Sequence, residues 1–189
     1  DLNVYTNYEG DGGILFDSFW KRLVYAIKFS DFKLIFSSLI GNESRLMYDR
    51  SINYIAKKIA PFLVYDQDPY LVLTEEGRMK WIYDAYTISN EFPYSEPFNA
   101  RINYIRNSVK VVIDAYDGAI DYYMMDGDDP IIKAFNGVYK GFFKSQAEMP
   151  VSIQNHVRYP KDLFTVQALI LNTYHMEDPQ VFYNREDVW

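Results

Sequence analysis

Residues Val109 to Met125 leave the backbone little choice. Val109, Val111, Ile113 and Ala115 alternate with Lys110, Val112 and Asp114, Asp117-Gly118 follows, and Ala119 to Met125 returns. A period of two sends successive side chains to opposite faces of a strand. Asp-Gly suits the two positive φ angles of a type I′ turn, whose twist matches that of paired strands. A β-hairpin is expected here, so the fold must contain an antiparallel sheet. Upstream, Tyr70 to Leu73 reads as a strand, Thr74-Glu75-Glu76-Gly77 as a turn and Met79 to Ile88 as a longer strand. Met79, Trp81, Tyr83 and Ala85 would share one face of that strand, and Ile82, Tyr86 and Ile88 the other. Aromatic rings on both faces predict a central strand. Asn90 to Asn99 reads as a long loop, because Pro93 and Pro97 cannot donate to a ladder.

The period is helical on either side of these strands. Phe19, Trp20, Leu23, Val24 and Ile27 form one apolar stripe, expected to face inward, with Lys21, Arg22 and Lys28 off it. Ser30-Asp31 reads as a break, after which Phe32, Ile35, Phe36, Leu39 and Ile40 continue to Gly41. A third helix starts near Asp49, carries Ile52, Ile55, Ala56 and Ile59, and ends at Pro61. Beyond the hairpin, Asp129-Pro130 is a cap with proline in the first turn, where a missing amide costs nothing. Ser145-Gln146-Ala147-Glu148 fits a capping box. A last helix is expected from Pro160 to before Asp178-Pro179, with Leu163, Phe164, Ile170, Leu171 and Tyr174 turned inward. Helices, then strands, then helices predict an α+β fold: an antiparallel sheet with at least two hairpins, covered on one side and flanked by N-terminal and C-terminal helices. At 189 residues the chain suits a single soluble domain over 1–189.

Several chemistries are removed by composition and spacing. No cysteine is present, which excludes thiol nucleophiles, disulfides and thiolate metal sites. A net charge of −7 argues against nucleic acid as a partner, since that affinity comes from basic groups neutralising phosphates. His156 and His175 occur in no metal-binding or catalytic spacing, and there is no nucleophile elbow or Walker loop. Glu9-Gly10-Asp11-Gly12-Gly13 is glycine-rich, but its acids would repel phosphate. Asp126, Asp128 and Asp129 lack the spacing of a calcium loop. No metal site and no cofactor are therefore expected.

What remains is an unusual supply of rings, with 18 Tyr, 13 Phe and 3 Trp. Most belong to a core. Those of the proline-bearing loop are harder to place there: Phe92, Tyr94 and Phe98, next to Glu96, Arg101, Tyr104 and Arg106. Rigid aromatics beside arginines favour a recognition surface for a protein or a glycan. The competing reading folds this loop back and buries its rings on the sheet. A second functional reading is a hydrolase built from carboxylates, with Asp66, Asp68, Asp84, Glu96 and Asp114 as candidates and room for a bound cation. It requires two of them about 5–10 Å apart in a cleft.

No run approaches the roughly eighteen apolar residues that span a bilayer, and Ile59 to Tyr65 is cut by Pro61. No signal segment opens the chain, and it begins at Asp1, so a piece of a larger protein is expected. Particular strings carry a resemblance. Tyr5-Thr-Asn-Tyr-Glu-Gly-Asp-Gly-Gly13, Ile59-Ala-Pro-Phe-Leu-Val-Tyr-Asp-Gln-Asp-Pro-Tyr70, Trp81-Ile-Tyr-Asp-Ala-Tyr-Thr87, Tyr94-Ser-Glu-Pro97, the run from Asn103 to Gly118, His156-Val-Arg-Tyr-Pro-Lys-Asp-Leu-Phe164, Tyr174-His-Met-Glu-Asp-Pro179 and Phe182-Tyr-Asn184 follow one another in order. As a set they resemble uncharacterised protein family 0182, whose members are large bacterial multi-pass membrane proteins with a big region outside the membrane. The resemblance implies that this chain is part of that extracytoplasmic region, with the parent in the cell membrane. It implies no enzyme mechanism and no catalytic residues. The expected role is a non-catalytic module that binds a protein or a cell-envelope component.

Overall fold

The computed structural model describes residues 8–188, so the first three residues of the Tyr5 to Gly13 string lie outside them. The chain runs β1 (Ile14–Leu15), α1 (Phe19–Phe29), α2 (Lys33–Phe36), β2 (Arg45–Leu46), α3 (Ile52–Ile59), β3 (Val64–Tyr65), β4 (Tyr70–Leu73), β5 (Met79–Ser89), β6 (Tyr104–Asp114) and β7 (Ile120–Met124). After these come α4 (Pro130–Val138), β8 (Phe143–Ser145), a 3-10 turn, α5 (Val151–Gln154), α6 (Lys161–Tyr174) and α7 (Pro179–Asn184). The class is α+β, as expected from the order of periods.

A six-stranded sheet in the order β3-β5-β6-β7-β8 organises the molecule. β4 shares with β3 the same edge of the long strand β5. Every pairing in it is antiparallel except β7 with β8, where α4 provides the crossover. The turn at Gly77, with φ of 76°, returns β4 to β5 as anticipated. Two expectations about the sheet need correction. It is covered on both faces, not one. Tyr83, Ala85, Val109, Val111, Ile113 and Tyr122 pack against α3 and α4 through Ala56, Ala60 and Ile132. Ile82, Val112 and Tyr123 pack on the other face against Met149 and Ile153. The second hairpin is real but its turn is not type I′. Only Gly118 has positive φ, at 79°, and the loop spans residues 115–118 within an Asp114–Ala119 frame. The Asp114 carboxylate accepts from the amides of Tyr116 (2.8 Å) and Asp117 (3.2 Å), which holds a wider turn than a two-residue pattern allows.

Most helices form where caps and periods place them, but α2 stops at Phe36 instead of running to Gly41, and α1 and α6 do not bury their predicted stripes. Asp129 caps α4 by accepting from the amides of Ile131 and Ile132, and Ser145 and Glu148 close a capping box. In α1, the predicted inward stripe points outward: Phe19, Trp20, Val24 and Ile27 are exposed. Ala26 is the buried residue of that helix, and Arg22 turns inward to donate to Asn42 (2.9 Å) and to the carbonyl of Phe16 (3.4 Å). Small Ala26 permits a close approach that the bulky stripe would prevent. Beside it, Tyr25, Phe29 and Tyr48 cluster with Lys28 over the Tyr48 ring. Likewise α6 has no fully buried residue; Leu163 is half-buried, while Phe164, Ile170, Leu171 and Tyr174 stay exposed.

Candidate functional site

The loop after β5 is held open by its own polar groups. Asn103 clamps it twice, donating from Nδ2 to the Phe92 carbonyl (2.8 Å) and accepting from the Phe92 amide (3.0 Å). Ser95 donates to the Asn103 carbonyl (2.6 Å), and the Phe98 amide to the Ile102 carbonyl (2.8 Å). These bonds project Tyr94 into solvent in a left-handed conformation, φ 60°. Tyr94 is thus displayed, whereas Phe92 and Phe98 are only partly exposed and the Phe92 ring packs back on Tyr104 of β6.

Facing this loop, α6 and α7 close a cleft of about 900 Å³. The loop contributes Tyr94, Ser95, Glu96, Pro97 and Phe98; the helices contribute Leu169, Ile170, Thr173, Tyr174, Phe182, Tyr183 and Arg185. Asp178 positions the second wall by capping α7, accepting from the amides of Gln180 and Val181. Tyr174 and Phe182 then meet across the α6–α7 junction with ring centres 5.7 Å apart. The charged groups of the lining are one acid, Glu96, and one base, Arg185, among aromatic and aliphatic walls.

Of the seven residues predicted as one recognition surface, three line this cleft: Tyr94, Glu96 and Phe98. The other four do not. Tyr104 and Arg106 are not loop residues at all, because β6 begins at Tyr104, five residues before the alternation becomes apolar. Tyr104 donates to Asp129 (2.8 Å), and burial with this carboxylate pushes its phenol up to about 12. Phe92 stacks on Tyr104 at 4.9 Å, and Arg106 reaches Asp126 at 3.2 Å. Arg101 sits exposed at the Asn99–Ile102 bridge. The reading missed the α6–α7 wall. The signal was present, since Asp178-Pro179 repeats the Asp129-Pro130 pattern of a helix start, and Phe182-Tyr183 follows within one turn.

Four of the five carboxylates weighed for hydrolysis, Asp66, Asp68, Asp84 and Asp114, are engaged by donors of the fold. Asp66 accepts from the Tyr86 hydroxyl and from the amides of Asp68 (2.8 Å) and Asp162 (2.9 Å), and Asp162 returns a bond from the Gln67 amide (3.0 Å). Asp66 thereby serves the start of α6, where Pro160 has no side-chain acceptor. Burial works against its ionisation, yet these donors keep its carboxyl below the usual range. Asp84 is paired with Lys110 in the interior, and burial nevertheless pushes its carboxyl up. Asp114 accepts from Lys80 (2.6 Å) and Arg78 (3.1 Å), and Asp68 pairs with Arg158 (3.1 Å). Glu96 alone of the five lines the aromatic cleft. Among the described residues no group of three or more acids or histidines is placed to hold a metal ion.

Fold and cleft together define a sheet-centred α+β module with a peripheral aromatic groove. Its sequence matches the uncharacterised protein family UPF0182 over residues 1–189, and the chain belongs to that family. It is similar to UPF0182 proteins of Desulforamulus reducens (51% identical over 190 residues, all of this chain and 20% of the relative) and Pelotomaculum thermopropionicum (51% over 187 residues, 99% and 20%). A third, from Microcystis aeruginosa, is 51% identical over 193 residues, again all of this chain and 20% of the relative. The chain thus spans about a fifth of the length of the curated relatives it matches. No solved structure matches it.

Proposed function

We propose that this segment is a non-catalytic recognition module of a larger bacterial membrane protein, lying outside the cytoplasm and binding an envelope polymer or protein in the aromatic cleft. The observation that carries the reading is the cleft itself: solvent-facing Tyr94, Tyr174 and Tyr183, with Phe98 and Phe182 beside them, and one charge of each sign. Rings presented at low entropic cost, with few polar groups to fix orientation, suit binding better than turnover. The engagement of Asp66, Asp84 and Asp114 by structural donors supports the same side of the choice.

The test uses the 189-residue chain with purified peptidoglycan sacculi. Co-sedimentation is expected, weakened at least tenfold by Tyr94→Ala with Tyr183→Ala, two exposed positions whose loss leaves the core intact. Binding that ignores both substitutions sinks the cleft as the site. Release of soluble fragments that depends on Glu96 would instead establish the hydrolase.

A further inference from the structure

At the end of β5 and β6 remote from the aromatic cleft, the geometry points to a separate binding site for a small aromatic carboxylate. A cavity of about 210 Å³ lies where the segment leading into α3 meets the turn between β6 and β7. Its apolar lining is Met47, Tyr48, Ile52 and Ile55, together with Trp81 and Ile113, which pair directly across β5 and β6. Size limits the occupant. A cavity of about 150 Å³ accommodates benzene, so this one takes a single ring carrying a short acid group. Half-buried Trp81 and Tyr48 offer that ring aromatic contact on the way in.

Spent acceptors and unused donors set the charge of the ligand. Two acids line the cavity, and both are already engaged. Asp114 accepts from Lys80 (2.6 Å), from Arg78 (3.1 Å) and from the amides of Tyr116 and Asp117. Asp117 accepts from Arg78 (3.0 Å) and from the Ala119 amide (3.3 Å). Arg50 differs. Its Nη2 donates to the Ala115 carbonyl (3.0 Å), which holds the guanidinium at the cavity, and it has no carboxylate partner among the described residues. The Trp81 indole N–H likewise has no partner among them. An ammonium ligand would find no uncommitted carboxylate here and would be repelled by Arg50. A neutral ring would leave the guanidinium donors to water. A carboxylate takes two N–H groups of the planar fork at once. Arg50, Arg78 and Lys80 outnumber Asp114 and Asp117, so the neighbourhood carries an excess of positive charge in a molecule of net charge −7. Arg50 is itself exposed, so the acid group stays partly hydrated while the ring occupies the apolar part.

The intact chain is titrated with benzoate, benzyl alcohol and benzylammonium, and the Trp81 indole N–H resonance, assigned by its loss in Trp81→Phe, is followed by heteronuclear NMR. A saturable shift with benzoate is expected, with affinity at least tenfold weaker for the alcohol and the ammonium. Arg50→Gln, whose amide can still donate to the Ala115 carbonyl, should lower benzoate affinity at least tenfold and leave benzyl alcohol unaffected. Arg50→Lys keeps the charge without the fork and should retain part of the preference for the acid. Ile52→Phe, which fills the cavity, should block the benzoate shift without altering the near-ultraviolet dichroism. No saturable shift with benzoate, equal affinity for the three probes, or benzoate binding that survives Arg50→Gln or Ile52→Phe would overturn the inference.

Discussion

Lys110 and Asp84 face each other across β6 and β5, on the side of the sheet that carries Ile82 and Val112, and each side chain is 3% exposed. Lys110 also donates to the Arg158 carbonyl at 3.0 Å, tying the segment before α6 to the sheet. Lys110→Met strips the cation and leaves a buried carboxylate uncompensated, a change that costs about 3–5 kcal/mol. Against a total stability of about 5–15 kcal/mol, at roughly 2–4 °C per kcal/mol for a chain of this size, the melting temperature should fall by roughly 6–20 °C. The pH dependence has a definite sign. Burial already pushes the Asp84 carboxyl up while Lys110 pulls it down, so the variant's carboxyl moves higher still. A carboxyl whose native pKa exceeds its unfolded value binds its proton more firmly in the native state. The deficit of the variant relative to wild type should therefore shrink as pH falls from 7 through that native value toward about 4. Asp84→Leu combined with Lys110→Met should recover most of the loss, because no unpaired charge is then buried. Urea and thermal unfolding followed by circular dichroism at several pH values measures all three. A single-variant loss under about 1 kcal/mol, or a deficit that widens in acid, would refute this account of the interior.

Asp129→Ala should destabilise by about 2–4 kcal/mol, measured by urea unfolding, since its carboxylate caps α4 and accepts from the hydroxyls of Ser108, Thr87 and Tyr104. Burial would raise Asp114, but Lys80 and the amides of Tyr116 and Asp117 hold it at about 2. Its contribution is thus complete above its unfolded pKa near 4 and lost as pH falls toward 2, and Lys80→Met should flatten that part of the acid-unfolding profile. Gly118→Ala should cost about 1 kcal/mol through its positive φ alone, because a Cβ there meets nothing within 4 Å. Gly127→Ala, equally open and without positive φ, should be neutral or slightly stabilising in the same thermal melts.

Local chemistry made much of the fold readable. The Tyr70–Leu73 to Met79 hairpin, the α4 cap at Asp129-Pro130, the capping box at Ser145 and the break at Ser30 each depend on residues within a few positions of one another. Half of the candidate site was readable for the same reason. Prolines at 93 and 97 keep the chain out of the sheet, so Tyr94 and Phe98 had to be displayed or folded back. Tyr104 and Arg106 were misplaced because polar residues hide the first turns of the β6 alternation, and only pairing with Thr87, Ile88 and Ser89 makes that stretch a strand.

By itself, then, the amino-acid order settled most periods and caps, the Thr74–Gly77 turn and the α+β class, because these are decided over distances of three or four residues. Tertiary structure decided which side of each helix meets the sheet. A stripe of large apolar side chains is attractive to any apolar surface, and in α1 the close-packing site went to Ala26 while Phe19, Trp20, Val24 and Ile27 were left outside. It also decided the partners of the acids. Asp66 finds the amide of Asp162, and Asp84 finds Lys110, across separations of 96 and 26 residues. A carboxylate takes whichever donor the folded chain brings within about 3 Å, and no spacing along the sequence encodes that distance.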